Sequence, residues 1–221
     1  MDKRQKNIEL LREKLTDYFA SDNTGHGIDH LERVLKYALL LQEKEGDDKD
    51  VIAVSAFIHD VHRIMGDIEG RFVAPEESLP VVKKLIENLD LTTDRKEHIL
   101  YAVKHHEEYS FGKEKISVTD IESLILQDAD NLDAIGAIGI MRAVKYGTAN
   151  KMPDYDPSIP FYNSEYTESV NDKSTIHHLY NKPLRLGKYL NTVTARKIAE
   201  EKTDLVKRFI ELYIKEYNCD F

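Results

Sequence analysis

Apolar residues recur every three to four positions along most of the chain, which is the spacing of an amphipathic helix. No segment shows the alternation of apolar and polar residues that predicts a strand. The helical pattern breaks at polar, glycine-containing stretches such as residues 21–25 and 46–48. The pattern predicts a single all-α domain over residues 1–221, built as a bundle of about eight to ten helices.

The most apolar part of the chain is residues 51–63, which read V-I-A-V-S-A-F-I-H-D-V-H-R. Because no face of this segment is polar, it is predicted to be a buried central helix. It delivers an imidazole and a carboxylate, His59 and Asp60, into the interior, which is costly unless they are paired or bind a metal. An aspartate that caps or salt-bridges a helix end is the alternative interpretation.

Two later segments are predicted from their glycines and prolines. Residues 129–146 are predicted to continue as one helix around Gly136 and Gly139, whose small size would let another helix approach. Residues 148–171 contain three of the six prolines of the chain. A loop of this length in a compact chain is typical of a lid, so we expect it to border a substrate pocket.

Composition excludes several classes of partner. With 41% hydrophobic and 32% charged residues, the chain is typical of a folded globular protein. A net charge of −9 argues against an extended nucleic-acid or anionic-membrane surface. No apolar run is long enough to span a membrane. The only cysteine, Cys219, cannot form an intrachain disulfide, and we therefore expect a cytoplasmic protein.

Four potential metal ligands lie at the ends of apolar helical segments: His30, the adjacent pair His59 and Asp60, and Asp128. Two imidazoles and two carboxylates suit manganese, iron, nickel, cobalt, zinc or magnesium, and they do not select among these cations. Core histidines and helix-capping aspartates are the alternative. The chain has no phosphate-binding glycine loop, nucleophile elbow or cysteine–histidine pair that would indicate covalent catalysis.

The ordered set of these residues resembles the HD superfamily of metal-dependent phosphohydrolases. The likeness is closest to a stand-alone branch that includes nucleoside-triphosphate pyrophosphohydrolases. It covers nearly the whole chain and is carried by H-x-x-x-H-L-E-R-V (26–34), F-I-H-D (57–60), H-E-E-Y-S-F (106–111), Q-D-A-D-N-L-D-A-I-G-A-I-G-I-M-R-A (127–143), H-L-Y-N-K-P-L (178–184) and T-A-R-K-I-A-E-E (194–201).

The resemblance implies an HD-type domain with a catalytic core at about residues 26–135, on which the C-terminal helices and the loop 148–171 pack. It also implies one divalent cation bound by His30, His59, Asp60 and Asp128. Such a cation would polarise a phosphoryl oxygen and activate water, so Asp60 is expected to be catalytic as well as a ligand.

The remaining candidate residues are expected to act on the substrate. His106 is predicted to protonate a leaving oxygen, and Lys104 beside it to bind phosphate. Arg63 is a further candidate phosphate ligand, and Asp67 is predicted to orient the attacking water. For both, a solvated loop residue is the alternative.

The C-terminal part adds two candidates. His178 and Lys182 are four positions apart, which places them on one helix face where they could bind phosphate. A packed histidine and a surface lysine are the alternative. Near the end of the predicted core, Asp133 is expected to be a hydrogen-bonding support residue.

Departures from the branch keep other functions open. Gly27 stands where the branch usually has aspartate, and V-H-R-I-M-G-D replaces the acidic run that follows Asp60 in several relatives. The favoured function is hydrolysis of a nucleoside triphosphate to monophosphate and pyrophosphate. A nucleotide monophosphatase or phosphodiesterase, and a non-catalytic metal- or nucleotide-binding regulator, are the alternatives.

Overall fold

Helices dominate the part of the chain that the computed structural model describes, which is residues 2–20, 22, 24–108, 118–161 and 173–221. Over these residues there is no strand, and nine helices of at least nine residues are accompanied by two shorter ones. The predicted all-α architecture is confirmed. The helices are α1 (Lys3–Phe19), α2 (Ile28–Glu45), α3 (Lys49–Ile58), α4 (Val61–Glu69), α5 (Pro75–Ile86), α6 (Thr93–His105), α7 (Ile121–Asp133), α8 (Gly136–Ala149), α9 (Thr175–Asn181), α10 (Pro183–Leu186) and α11 (Val193–Tyr217).

The chain divides into two compact units, each with its own internal packing. The first contains α1 to α6 and α7 as far as Asp130, and the second contains the end of α7 together with α8 to α11. The expectation of one domain over residues 1–221 stays a prediction. No helix in the described ranges is both long enough and apolar enough to cross a membrane.

Helix α3 lies at the centre of the first unit, where it packs against α1, α2 and α6. All eight of its residues from 51 to 58 are buried, which confirms the predicted central helix. Its N-terminus is capped by Asp48, whose carboxylate accepts hydrogen bonds from Asp50 N (3.0 Å) and Val51 N (3.2 Å). Apolar burial thus fixes the helix that ends directly before His59.

The predicted helix over residues 51–63 is interrupted at His59 and Asp60, which form a turn between α3 and α4. Asp60 leaves the helical conformation (φ −89°, ψ 15°) and begins α4 as its N-cap. Consecutive side chains on a continuous helix point in different directions. Because the turn breaks the helix here, His59 Nε2 and Asp60 Oδ2 can lie only 3.5 Å apart.

A second helix break lies in the second unit, and the prediction of one helix over residues 129–146 is wrong. Helix α7 ends at Asp133 and α8 begins at Gly136, whose φ of +76° favours glycine. A Cβ at Gly136 would lie 3.2 Å from Cβ of Lys202 on α11, so the expected close approach of another helix does occur there.

Arg142 on α8 holds the start of α8 to two other segments of the second unit. Its Nε donates a hydrogen bond to Gly25 O (2.9 Å), and its Nη1 donates to Asp133 Oδ2 (3.2 Å). Asp133 therefore has the hydrogen-bonding role that the sequence predicted. Because the Asp133 carboxylate is fully buried, this charged hydrogen bond compensates part of the cost of its burial.

The predicted lid at residues 148–171 is described only in part. Helix α8 continues to Ala149, and residues 150–161 follow without regular structure. Phe161 stacks on His177, with 4.6 Å between ring centroids, and His177 Nε2 lies 2.9 Å from Ile159 O. Residues 162–171 lie outside the described part, so the lid stays a prediction.

Candidate metal centre

Three buried side chains in the first unit bring their donor atoms to one point. His30, in the first turn of α2, places Nε2 3.3 Å from His59 Nε2 and 3.2 Å from Asp60 Oδ2. The third distance, from His59 Nε2 to Asp60 Oδ2, is 3.5 Å. The exposed fractions of the three side chains are 0%, 0% and 3%. The structure therefore brings together three of the four predicted metal ligands.

These separations fit coordination of a single cation. Two ligands bound at about 2.1 Å from one ion lie about 3.0 Å apart at a right angle and about 3.4 Å apart at the tetrahedral angle. Asp60 Oδ2 is buried and accepts no hydrogen bond from the described residues. Because a buried carboxylate oxygen without a partner is costly, a bound cation is a physically reasonable occupant.

The hydrogen bonding of His59 leaves the correct nitrogen available for a cation. Its Nδ1 lies 3.0 Å from Ala56 O, so Nδ1 carries the proton and Nε2 carries the lone pair. A backbone carbonyl that orients a ligating imidazole in this way is a common feature of metal sites.

Electrostatics favour the protonation states that a cation requires. Burial lowers the pKa of His59 to about 4, although Asp60 and Asp130 oppose this shift, so the imidazole is neutral at pH 7. Burial by itself would raise the pKa of Asp60. The charge interaction with His59 and the contacts of the Asp60 carboxylate with His106 and His30 instead lower this pKa well below its ordinary value. A neutral imidazole and an ionised carboxylate are the metal-binding forms.

Helix α7 offers two carboxylates for a fourth ligand. Asp130 Oδ1 lies 3.5 Å from His30 Nε2 and 3.8 Å from His59 Nε2. Asp128, the predicted ligand, is fully buried two residues earlier. Residues two apart on a helix do not share a face, so the two carboxylates leave α7 in different directions. Asp128 stays a prediction, and Asp130 is a candidate that the sequence analysis did not identify.

A second group of polar side chains adjoins Asp60. His106 Nε2 lies 3.7 Å from Asp60 Oδ1, and His62 Nε2 lies 3.4 Å from Glu107 Oε1. Arg63 forms an ion pair with Glu107, and its Nε lies 3.6 Å from Asp60 Oδ1. The expected proximity of Arg63 and His106 to the centre is therefore observed. The sequence predicted no role for His62 or for Glu107, which belongs to the H-E-E motif.

The pKa shifts in this group follow from its opposite charges. Burial opposes protonation of His106, but Asp60 and Glu107 outweigh it and raise the pKa of the imidazole. Burial alone would raise the pKa of Glu107, whereas His62, Arg63 and His106 lower it to about 2. Glu107 is therefore ionised at neutral pH and holds positive groups beside Asp60.

A cavity of about 470 Å³ adjoins this group and is lined by His62, Arg63 and Asp67, together with Arg71 and Phe72. Asp67 lies one helical turn after Arg63 on α4. Partial burial and the nearby Asp22 raise the pKa of Asp67, while Arg63 opposes the shift. The structure thus places the predicted water-orienting carboxylate in a cavity that Arg63 also lines.

Lys104, His178 and Lys182 are the other predicted substrate contacts. Lys104 Nζ donates a hydrogen bond to Glu76 Oε1 (2.7 Å), so binding a phosphate would require it to leave this partner. His178 and Lys182 belong to the second unit, one helical turn apart, as shown by the hydrogen bond from Lys182 N to His178 O (3.0 Å). The roles of these three residues stay predictions.

An all-α fold with a buried histidine–aspartate centre defines a class of helical metal-binding domains, and comparison with known proteins identifies the family. The chain belongs to the HD superfamily. The HD domain family model matches residues 27–135, and HD domains bind divalent metals. A crystal structure of an HD-superfamily hydrolase from Bacillus thuringiensis is 31% identical, with 97% of this chain and 98% of that chain covered and a TM-score of 0.72.

Two further relatives cover nearly the full length. A protein of known structure from Lactobacillus plantarum is 30% identical over 97% of this chain and 98% of its own, with a TM-score of 0.73. Bacillus subtilis YpgQ, an uncharacterized protein, is 28% identical over 97% of this chain and 95% of its own. The crystal structure of YpgQ in complex with ADP is 26% identical to this chain. The match covers 95% of this chain and 97% of the YpgQ chain, with a TM-score of 0.72.

The buried imidazole of His59 predicts a pH-dependent loss of stability in the metal-free protein. Its pKa is lowered from 6.5 to about 4, so the unfolded state binds the proton more tightly. The free energy of unfolding is expected to fall as the pH decreases from about 6.5 to 4, by on the order of 3 kcal/mol from this group. Urea denaturation of the wild type and His59→Gln across this range measures the effect.

The matched control is His105→Gln, which removes an imidazole that contacts Glu108 instead of the centre. We expect His59→Gln to flatten the dependence on pH and His105→Gln to retain it. Equal slopes for the wild type and His59→Gln would show that the imidazole of His59 titrates normally.

Substitution of the two α7 carboxylates distinguishes the fourth ligand. Asp128 is fully buried, whereas the Asp130 side chain is 21% exposed. We therefore expect Asp128 to bind the cation directly and Asp130 to support the site without binding the cation. Asp128→Asn is expected to lower Mn²⁺ affinity by more than about 100-fold, and Asp130→Asn by about tenfold. Isothermal titration calorimetry measures both, and the reverse order would assign the ligand to Asp130.

Proposed function

We propose that this protein is a metal-dependent phosphohydrolase that acts on a small phosphorylated molecule. The observation that supports this most strongly is the convergence of His30, His59 and Asp60 next to a cavity lined by Arg63. Metal-binding atoms and a phosphate-binding guanidinium thus adjoin one another, and Arg63 Nε lies 3.6 Å from Asp60 Oδ1. This arrangement fits phosphoryl transfer to water better than chemistry on an uncharged substrate.

His30, His59 and Asp60, with Asp128 or Asp130 from α7, would hold the divalent cation. A cation at that position supplies Lewis-acid polarisation of a phosphoryl oxygen and makes a nearby water more acidic. The donor set of imidazole and carboxylate is compatible with several cations, so the identity of the metal is left to experiment. A protein nucleophile is not required, because water itself is the attacking group.

Arg63 and Asp67, which line the cavity, and His106, which lies beside Asp60, perform the remaining steps. Arg63 binds a phosphoryl oxygen of the substrate and orients the phosphorus. Asp67, whose raised pKa makes it a better proton acceptor, takes the proton from the attacking water. The contact of His106 Nδ1 with Val103 O (2.6 Å) fixes the orientation of the imidazole ring. His106 donates a proton to the leaving oxygen.

The favoured substrate is a nucleoside triphosphate, cut to monophosphate and pyrophosphate. The crystal structure of YpgQ contains ADP, which supports a nucleotide ligand for this similar chain. Two arginines, Arg63 and Arg71, line the cavity, and a substrate phosphate would compete with their glutamate partners Glu107 and Glu77 for the guanidinium groups. Several positive groups are better suited to bind a substrate with several phosphates than a substrate with one phosphate. Lys104, His178 and Lys182 are proposed as additional phosphate contacts.

In this reaction water attacks the α-phosphorus and the bond from that phosphorus to the bridging oxygen breaks. The proton of the attacking water goes to Asp67, and the leaving pyrophosphate oxygen receives one from His106. Before the next turnover, Asp67 releases its proton to solvent and His106 takes one up from solvent. Long nucleic acid is not an expected substrate, because a net charge of −9 disfavours an extended basic surface.

Product analysis tests the choice of bond. A panel of nucleoside mono-, di- and triphosphates is incubated with the protein and Mn²⁺, and the products are separated by anion-exchange chromatography. We expect monophosphate and pyrophosphate from triphosphates. Orthophosphate as the only product, or faster turnover of monophosphates, would instead indicate a nucleotidase, and nucleotide binding without any product would indicate a regulator.

Two variants assign any activity to the cavity. Arg63→Met is expected to lower kcat/KM for triphosphates by roughly 10- to 100-fold, which corresponds to loss of one or two charged hydrogen bonds. The matched control is Lys197→Met, because Lys197 is an exposed cation on α11 in the second unit. Equal losses in the two variants would show that general surface charge, and not the cavity, binds the substrate.

A further inference from the structure

We propose that His98, Asp120 and Glu122 form a separate divalent-cation site, and that Zn²⁺ is the cation that fits its donor atoms best. One ligand atom from each of the three side chains lies within 4.8 Å of the other two. All three residues belong to the first unit, and none of them is part of the buried centre at His59 and Asp60. The inference goes beyond the proposed function and does not depend on it.

The donor atoms of this site come from α6 and from the start of α7. His98 Nε2 lies 2.9 Å from Asp120 Oδ1 and 3.7 Å from Glu122 Oε2. These distances bracket the separation of about 3.0–3.4 Å between two ligands that bind one ion at about 2.1 Å. The side chains of His98, Asp120 and Glu122 are 31%, 25% and 5% exposed, so the site is sheltered and still open to ions from solvent.

Capping of α7 does not by itself account for the cluster. Asp120 Oδ1 accepts the capping hydrogen bond from Ser123 N (2.9 Å). The other oxygen of this carboxylate, Oδ2, is buried and accepts no hydrogen bond from the described residues. Glu122 adds a second carboxylate, which the hydrogen bond to Ser123 N does not involve. A cation would satisfy the Asp120 carboxylate and compensate the burial of Glu122.

The charges around the site favour a cation over an anion. Burial, with a contribution from Asp47, raises the pKa of Glu122 against the opposing effect of His98. Over the described residues, no lysine or arginine forms an ion pair with Asp120 or Glu122. The positive end of the α7 dipole opposes a cation, but it is equivalent to roughly half an elementary charge and faces two carboxylates. A divalent cation would take the place of the proton that His98 Nε2 and Asp120 Oδ1 share.

The imidazole selects among the divalent cations. Ca²⁺ and Mg²⁺ prefer ligand sets made of oxygen, whereas histidine nitrogen combined with aspartate and glutamate oxygens is a common ligand set for Zn²⁺. Three protein ligands leave the fourth tetrahedral position to water. Zinc is therefore the probe that tests this site.

The position of the site indicates what a bound cation would do. The contacts of His98 with Asp120 and of His105 O with Gln127 Nε2 (2.9 Å) both join residues 22 positions apart, so α6 and α7 run in the same direction. His106, beside the buried centre, follows His98 by eight residues, which is about 12 Å along a helix. A cation would thus join α6 to α7 at the ends remote from the buried centre.

Anomalous diffraction tests the position of the cation directly. Crystals of the full wild-type chain are grown with Zn²⁺ in excess over two equivalents, and data are collected on both sides of the zinc absorption edge. We expect an anomalous peak about 2.1 Å from His98 Nε2, with oxygens of Asp120 and Glu122 at a similar distance. The absence of a peak at His98, whether or not zinc fills the buried centre, would overturn the proposal.

Calorimetric titration with Zn²⁺ alone measures the same site in solution. We expect His98→Gln to bind one Zn²⁺ fewer per chain than the wild type, because glutamine supplies no imidazole nitrogen. His105→Gln, the matched control on the same helix, is expected to keep the wild-type number. Equal numbers for the wild type and His98→Gln, or a site that fills only at millimolar Zn²⁺, would contradict the assignment. Because neither experiment contains a nucleotide, both results are independent of whether hydrolysis is observed.

Discussion

The carboxylate of Asp60 is an ionised group in the interior of the first unit, and the arrangement around it depends on keeping that charge stable. An uncompensated buried carboxylate costs several kcal/mol, and three imidazoles, those of His30, His59 and His106, surround this one. Imidazoles that are neutral compensate a negative charge only in part. A cation held by His30, His59 and Asp60 Oδ2 satisfies that oxygen and the two lone pairs together, which explains why these polar atoms are buried at one place.

The helix break at His59 and Asp60 makes this arrangement possible. Helix α3 is held by burial of all eight residues from 51 to 58, so its end is fixed by apolar packing and not by the polar site. The turn then directs two consecutive side chains to the same point, which a continuous helix would not allow. Rigid placement of ligands by the core also reduces the reorganisation that cation binding requires.

Much of this could be predicted from the sequence, because apolar periodicity determines where helices form and which segment is central. The ends of apolar helical segments also identified His30, His59 and Asp60 before the structure. The helix breaks at residues 59–60 and 134–135 were missed. Local propensity in both segments favours continued helix, and the breaks depend on tertiary contacts such as the approach of Lys202 to Gly136.

Contacts between distant parts of the chain were the other limit. Glu107 is 44 residues from Arg63, and nothing in the spacing shows that the two form an ion pair beside Asp60. Likewise, the motif D-A-D presents Asp128 and Asp130 as equivalent by composition. Only the position of α7 shows that Asp130 Oδ1 lies 3.5 Å from His30 Nε2. Pairings of this kind follow from packing and not from local sequence.

The central claim is that the turn at His59 and Asp60 presents imidazole nitrogens directly to a cation. Pulsed electron–nuclear double resonance of the protein loaded with one equivalent of Mn²⁺ tests this directly. The structure predicts ¹⁴N couplings from two coordinated imidazoles, of which His59→Gln removes one. A spectrum without coordinated nitrogen, or one that His59→Gln leaves unchanged, would contradict the account.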